Sequence, residues 1–247
     1  MESKCGLTEC GEYALPIISE YLNTIELSYM SRMSKYINGK LANTLLTRNV
    51  FTILEFINMP MDKIKYIHRL HWLSEHKFDD YILPPNLIYL KFGYHFDQPL
   101  SPGSLPPNLT QLTLGDDFNH PLLPGILPPN LTHLTFRFGF NQPLLPGILP
   151  INLTHLILGD EFNQLLMPDV LPPTLTHLIF GFNYKQIINF SELPPTLTHL
   201  TFGHYFNQII NFSELPQTLT HLTFGYGFNQ QLLIGLVPPT LTHLEFN

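Results

Sequence analysis

The chain repeats itself every 22 residues, and no other feature restricts its fold so tightly. A phrase that reads Leu-Pro-Pro or a close variant begins at Leu83, Leu105, Leu127, Leu149, Leu171, Leu193, Leu215 and Val237, with no insertion between units. A period held that strictly means that each unit stacks on the last, as in a solenoid. One unit reads L-P-P-(N/T)-L-T-H-L-T-F-G-x-x-F-N-Q, followed by about six looser residues.

Within a unit the first leucine is position one. Positions five, eight and ten are apolar, as in Leu197, Leu200 and Phe202. The alternation around position eight is the strand period, so Leu200 and Phe202 should point inward and His199 and Thr201 outward. The glycine at position eleven, such as Gly203, ends the strand. Position fourteen is aromatic in each complete unit (Phe96, Phe118, Phe140, Phe162, Tyr184, Phe206, Phe228), which predicts an aromatic spine inside the coil. Pro-Pro at positions two and three forbids helix, and so does the return path "QPLLPG". The expected fold is a right-handed parallel β-solenoid over residues 83–247, with eight units, the last truncated. Strands about 4.8 Å apart would make it a rod of roughly 40 Å.

This pattern resembles the leucine-rich repeat, whose core appears as Leu175-x-x-Leu178-x-Phe180. It resembles more closely the FNIP repeat, a 22-residue variant found in slime moulds and giant viruses. The naming motif survives as Phe118-Asn119, Phe140-Asn141, Phe162-Asn163, Phe206-Asn207 and Phe228-Asn229, with Asp97 and Lys185 in place of Asn in the first and fifth units. The resemblance implies that the Asn column bonds backbone groups exposed at each turn.

Upstream, Ile67, Leu70 and Trp72 match positions five, eight and ten, so residues 61–82 read as a degenerate capping repeat. Lys91 and Glu245 are charges on the outermost strands of the repeat array, where they would discourage edge pairing. Residues 1–14 read as a tail. Residues 15–60 space apolar side chains at three and four, which predicts helices. Breaks are expected near Asn23-Thr24 and Asn38-Gly39, and a further helix over Leu41–Ile57.

Within that segment, Leu15-Pro16, Ile18, Tyr21-Leu22, Leu27, Met30 and the pair Ser34-Lys35 resemble an F-box. The resemblance implies docking on the Skp-type adaptor of a cullin ubiquitin ligase through Leu15, Pro16, Ile18, Leu22, Leu27, Met30, Ser34 and Lys35. F-boxes fused to FNIP arrays in this order occur in giant viruses and slime moulds, which implies a virus–host setting if the chain is viral.

Position seven, facing outward, carries His133, His155, His177, His199, His221 and His243 in consecutive units. Thr135, Thr201 and Thr223 share that face and complete the expected partner-binding surface. Parallel imidazoles on a ladder do not converge on a metal, so no metal is expected. No carboxylate column adjoins them for acid–base work, and no Ser-His-Asp set, phosphate loop or Cys-His cluster occurs. The chain therefore reads as a non-enzyme without cofactor. A net charge of -7 argues against nucleic acid. Residues 83–247 are acidic in sum, so a basic protein partner is expected, its identity open. No apolar run is long enough for a membrane span, and Cys5 and Cys10 form no disulfide framework. These features point to an intracellular, cytoplasmic protein. Two functions fit: a ligase substrate receptor, or an interaction scaffold whose N-terminal segment only caps the solenoid. Stacked imidazoles should also resist protonation, so acid should destabilise the fold and release a basic partner.

Overall fold

The computed structural model describes residues 50–52, 59, 61–72, 77–78, 81–232 and 237–247. They form one parallel sheet whose ten strands lie in chain order. The strands are β1 (Val50–Thr52), β2 (Arg69–Trp72), β3 (Tyr89–Phe92), β4 (Gln111–Thr113), β5 (His133–Thr135), β6 (His155–Ile157), β7 (His177–Ile179), β8 (His199–Thr201), β9 (His221–Phe224) and β10 (His243–Phe246). From β3 onward the register steps by one repeat, so that Leu178 faces Leu200 and His177 faces His199. Each coil from β3 to β9 contributes its position-eight leucine to the core, and the outward strand residues on either side stay at least partly exposed.

The upstream unit carries the sheet on. Leu70 pairs with Leu90 and Trp72 with Phe92, and Ile67, Leu70 and Trp72 are fully buried. The helix expected over 41–57 is corrected at its C-terminal part. Val50–Thr52 is a strand paired with Arg69–His71, and Phe51 lies in the core above Leu70. Short apolar runs fit helix or strand equally by spacing. Here the exposed edge of β2 decides, because only a strand satisfies its backbone groups. The other expected helices of residues 15–49 lie outside the described residues. The one α-helix among the described residues is Met61–Ile64.

The coils do not stack into a straight rod. Equivalent rings in successive units are 4.0–4.2 Å apart at the outward histidines. They are 5.4–5.7 Å apart at position ten and 6.1–6.4 Å apart at position fourteen. Spacing that widens with depth means that the array bends, with the histidine face on the inside of the arc. The bulk behind the sheet causes this: the Phe spine and the return path need more room per coil than a backbone ladder does.

The sides of the coil are fixed by polar ladders. Asn119 Oδ1 accepts from Asn141 N at 3.0 Å, Asn141 Oδ1 from Asn163 N at 3.0 Å, and Asn207 Oδ1 from Asn229 N at 3.0 Å. Each Asn thus satisfies a backbone donor of the next coil, as the motif resemblance implied. Asp97 does the same for Asn119 N, whereas Lys185 donates its own N–H to Asn163 Oδ1 but has no side-chain acceptor to offer the next coil. Return paths come in two forms. The early ones turn on Gly103, Gly125 and Gly147 at positive φ. Those after the fifth and sixth strands of the repeat array use 3-10 turns at Phe190–Glu192 and Phe212–Glu214, which bury Phe190 and Phe212.

Candidate functional site

The concave face is built from the outward residues of the strands. Behind each histidine stands a threonine at position six. Thr198 Oγ1 lies 3.1 Å from Thr176 O and 2.9 Å from His199 Nδ1. The same two contacts recur at His133, His155, His177, His221 and His243, at 3.0–3.1 Å and 2.8–2.9 Å. Each ring is therefore pinned at Nδ1 while its neighbours hold its faces. Successive rings stack with interplanar angles of 7–13°.

Such a stack resists charging. Burial first, and then the neighbouring rings, hold His177 down to about 4. His155 and His199 are lowered for the same reasons, in the same order. The six expected face histidines thus come together in one continuous row, with Thr135, Thr201 and Thr223 beside it at position nine. Ile157 and Ile179 fill that column in the middle coils. The rings lie parallel, and among the described residues no group of His, Cys, Asp or Glu is placed to hold a metal ion.

Charge on this face is polarised along its length. Arg69, His71 and Lys91 occupy the N-terminal end, where burial and then Lys91 and Arg69 lower the pKa of His71. Glu245 occupies the other end. The acidic residues Asp116, Asp117, Asp160 and Glu161 stand beyond the strands on one rim. There Arg137 pairs with Asp116 and lies 4.8 Å over the Tyr94 ring, while His95 reaches Asp117 at 2.9 Å.

Two features were missed in the sequence. On the opposite rim an open groove of about 810 Å³ runs along the early coils, lined by Asn86, Asn108, Asn130 and Asn152 with Thr110, Thr132 and Thr154. Each of these Asn side chains donates to a carbonyl of the preceding coil, as Asn130 Nδ2 does to Pro107 O at 3.0 Å. The Asn-to-Thr switch at position four was the signal for it: the groove ends at Thr174, where that switch occurs. The second is an exposed stack at position twelve, with Phe182 on His204 at 4.5 Å and His204 on Tyr226 at 5.6 Å. It was readable as a column of aromatic residues in the last units.

The model of the FNIP Repeat matches residues 75–117, 96–138, 140–183, 171–205, 182–227 and 206–247. The chain belongs to the FNIP-repeat family. No curated protein is significantly similar in sequence to it. Among solved structures, this FNIP-repeat chain is similar to CroV588, described as a novel circular LRR protein structure. The TM-score is 0.55 at 32% identity, over 74% of this chain and 37% of that one. The chain thus spans little more than a third of that protein's length. Both comparisons place the FNIP array among leucine-rich-repeat-like solenoids, an architecture of protein–protein interaction modules. The expected adaptor-binding residues Leu15, Pro16, Ile18, Leu22, Leu27, Met30, Ser34 and Lys35 lie outside the described residues. Among the described residues no helix is long and apolar enough to cross a membrane.

Proposed function

We propose that this chain is a non-catalytic substrate receptor of a cullin-type ubiquitin ligase, acting in the cytoplasm. Residues 15 to about 50 dock on a Skp-type adaptor, and the concave face of the solenoid holds the target. The observation that carries the binding half is the unbroken row of six stacked histidines along the inside of the arc. The F-box-like residue series ahead of the array supports the docking half. Co-purification of the full chain with a Skp-type adaptor tests docking, and Leu22→Ala with Leu27→Ala should abolish it. An adaptor that never co-purifies removes the ligase role. Thr201→Arg and Thr223→Arg place bulk and charge on the concave face and should displace a captured target, whereas Leu145→Arg, away from that face, should not.

A plain interaction scaffold is the second reading. The pairing of Val50–Thr52 with β2 favours it, because those three residues cover the edge that β2 would otherwise present.

A further inference from the structure

We infer that the histidine ladder is a row of hydrogen-bond acceptors, and that it takes a basic stretch of another protein whose lysine and arginine side chains donate to it. The inference rests on the concave face being the binding surface.

The argument is an accounting of protons. Thr198 Oγ1 touches two groups, Thr176 O and His199 Nδ1. The hydroxyl has one proton, and a carbonyl can only accept. Both contacts are hydrogen bonds in only one arrangement: the hydroxyl donates to the carbonyl, and Nδ1–H donates to the hydroxyl oxygen. A neutral imidazole has a single N–H, so Nε2 is left with a bare lone pair. The same accounting holds at all six rings. Stacking keeps the rings in one orientation, so the six Nε2 atoms form one row along the face. Among the described residues none donates to them.

A row of lone pairs repels carboxylates and phosphates and attracts donors. The charges around it select cationic donors. Arg137 is neutralised by Asp116, which leaves Asp160, Glu161 and Glu245 against Lys185 at the strands and their rim, with Asp169, Glu192 and Glu214 on the return paths of the same coils. Arg69, His71 and Lys91 lie beyond the other end and confine a basic segment to the histidine coils.

Nitrogen-15 spectra of the imidazoles in the full chain at neutral pH read the tautomers directly. Six rings protonated at Nδ1 and bare at Nε2 are expected, and protonation at Nε2 overturns the acceptor row. Thr198→Val removes the acceptor for Nδ1–H and should move the proton of His199 to Nε2. Labelled hexa-arginine and hexaglutamate peptides then probe the face. Hexa-arginine should bind and shift the six Nε2 signals, and hexaglutamate should not. His177→Phe with His199→Phe keeps the stack and removes two acceptors, and should weaken hexa-arginine about a hundredfold, about tenfold for each charge-assisted hydrogen bond lost. If that pair does not fold, Thr198→Val gives the same readout at one ring. Hexa-arginine that binds without moving the rings is held by the rim carboxylates and overturns the inference, as does preference for hexaglutamate or binding of neither. These failures leave the concave face as a docking surface. That reading fails separately, when target capture ignores Thr201→Arg.

Discussion

Tyr184 is the single tyrosine in a column otherwise made of phenylalanine, and it is fully buried. Among the described residues its hydroxyl has no hydrogen-bond partner, and burial pushes the phenol above its ordinary pKa. Tyr184→Phe should therefore raise stability by about 1 kcal/mol, readable as a higher melting temperature, because an unpaired buried hydroxyl is removed at little loss of packing. Phe162, also fully buried, stacks between Phe140 and Tyr184 at 6.1 Å from each. Phe162→Ala should cost about 3–5 kcal/mol in a denaturant titration. The histidines set the pH dependence. With His177 at about 4 and His155 and His199 also lowered, the unfolded chain, with rings near 6.5, binds more protons in the window between. That stability is present above pH ~6.5 and is lost as pH falls towards about 4. Melting temperature should drop across the window, and replacing these three rings with Gln should flatten the drop. Ring titrations clustered near about 6.5 would defeat this expectation.

At the scale of one coil, backbone geometry at two positions decides what can repeat. A Cβ at Gly203 would collide with the Gly181 carbonyl of the coil below, and the same holds for Gly181 against Gly159. Gly203→Ala should cost about 3 kcal/mol, since the obstacle is backbone and cannot turn aside. The return turn needs a left-handed residue, which Gly103, Gly125 and Gly147 supply and Asp169 imitates at φ 61. Asp169→Gly should stabilise by about 0.5–1 kcal/mol by relieving that conformation, measured as a shift of the unfolding midpoint. The 3-10 turns avoid the requirement: Asn211 accepts from Ser213 N, and Phe212 fills the space inside.

Across the described coils each one packs chiefly on its neighbours, so stability is greatest in the middle and falls towards the end strands. Leu244 and Phe246 of β10 are exposed, whereas the matching Leu222 and Phe224 of β9 are buried. Amide hydrogen exchange should be slowest in β6 to β8 and fastest in β10. Uniform protection along the array would show that the coils unfold as one block.

The repeat alone determined the strand positions, the inward leucines, the aromatic spine and the outward histidine row, because an exact period makes every unit solve the same packing problem. Leu200, Phe206 and His199 could be placed from spacing and alternation before any coordinates. The tertiary structure decided what depends on neighbours rather than on pattern. The strand at Val50–Thr52 exists because β2 offers it an edge, which no local spacing announces. The bend of the array comes from a difference in bulk between the two sides of the sheet. The bare Nε2 row comes from a threonine hydroxyl shared between a ring and a carbonyl of the coil before, two groups a full repeat apart in the chain and adjacent only once the coils are stacked.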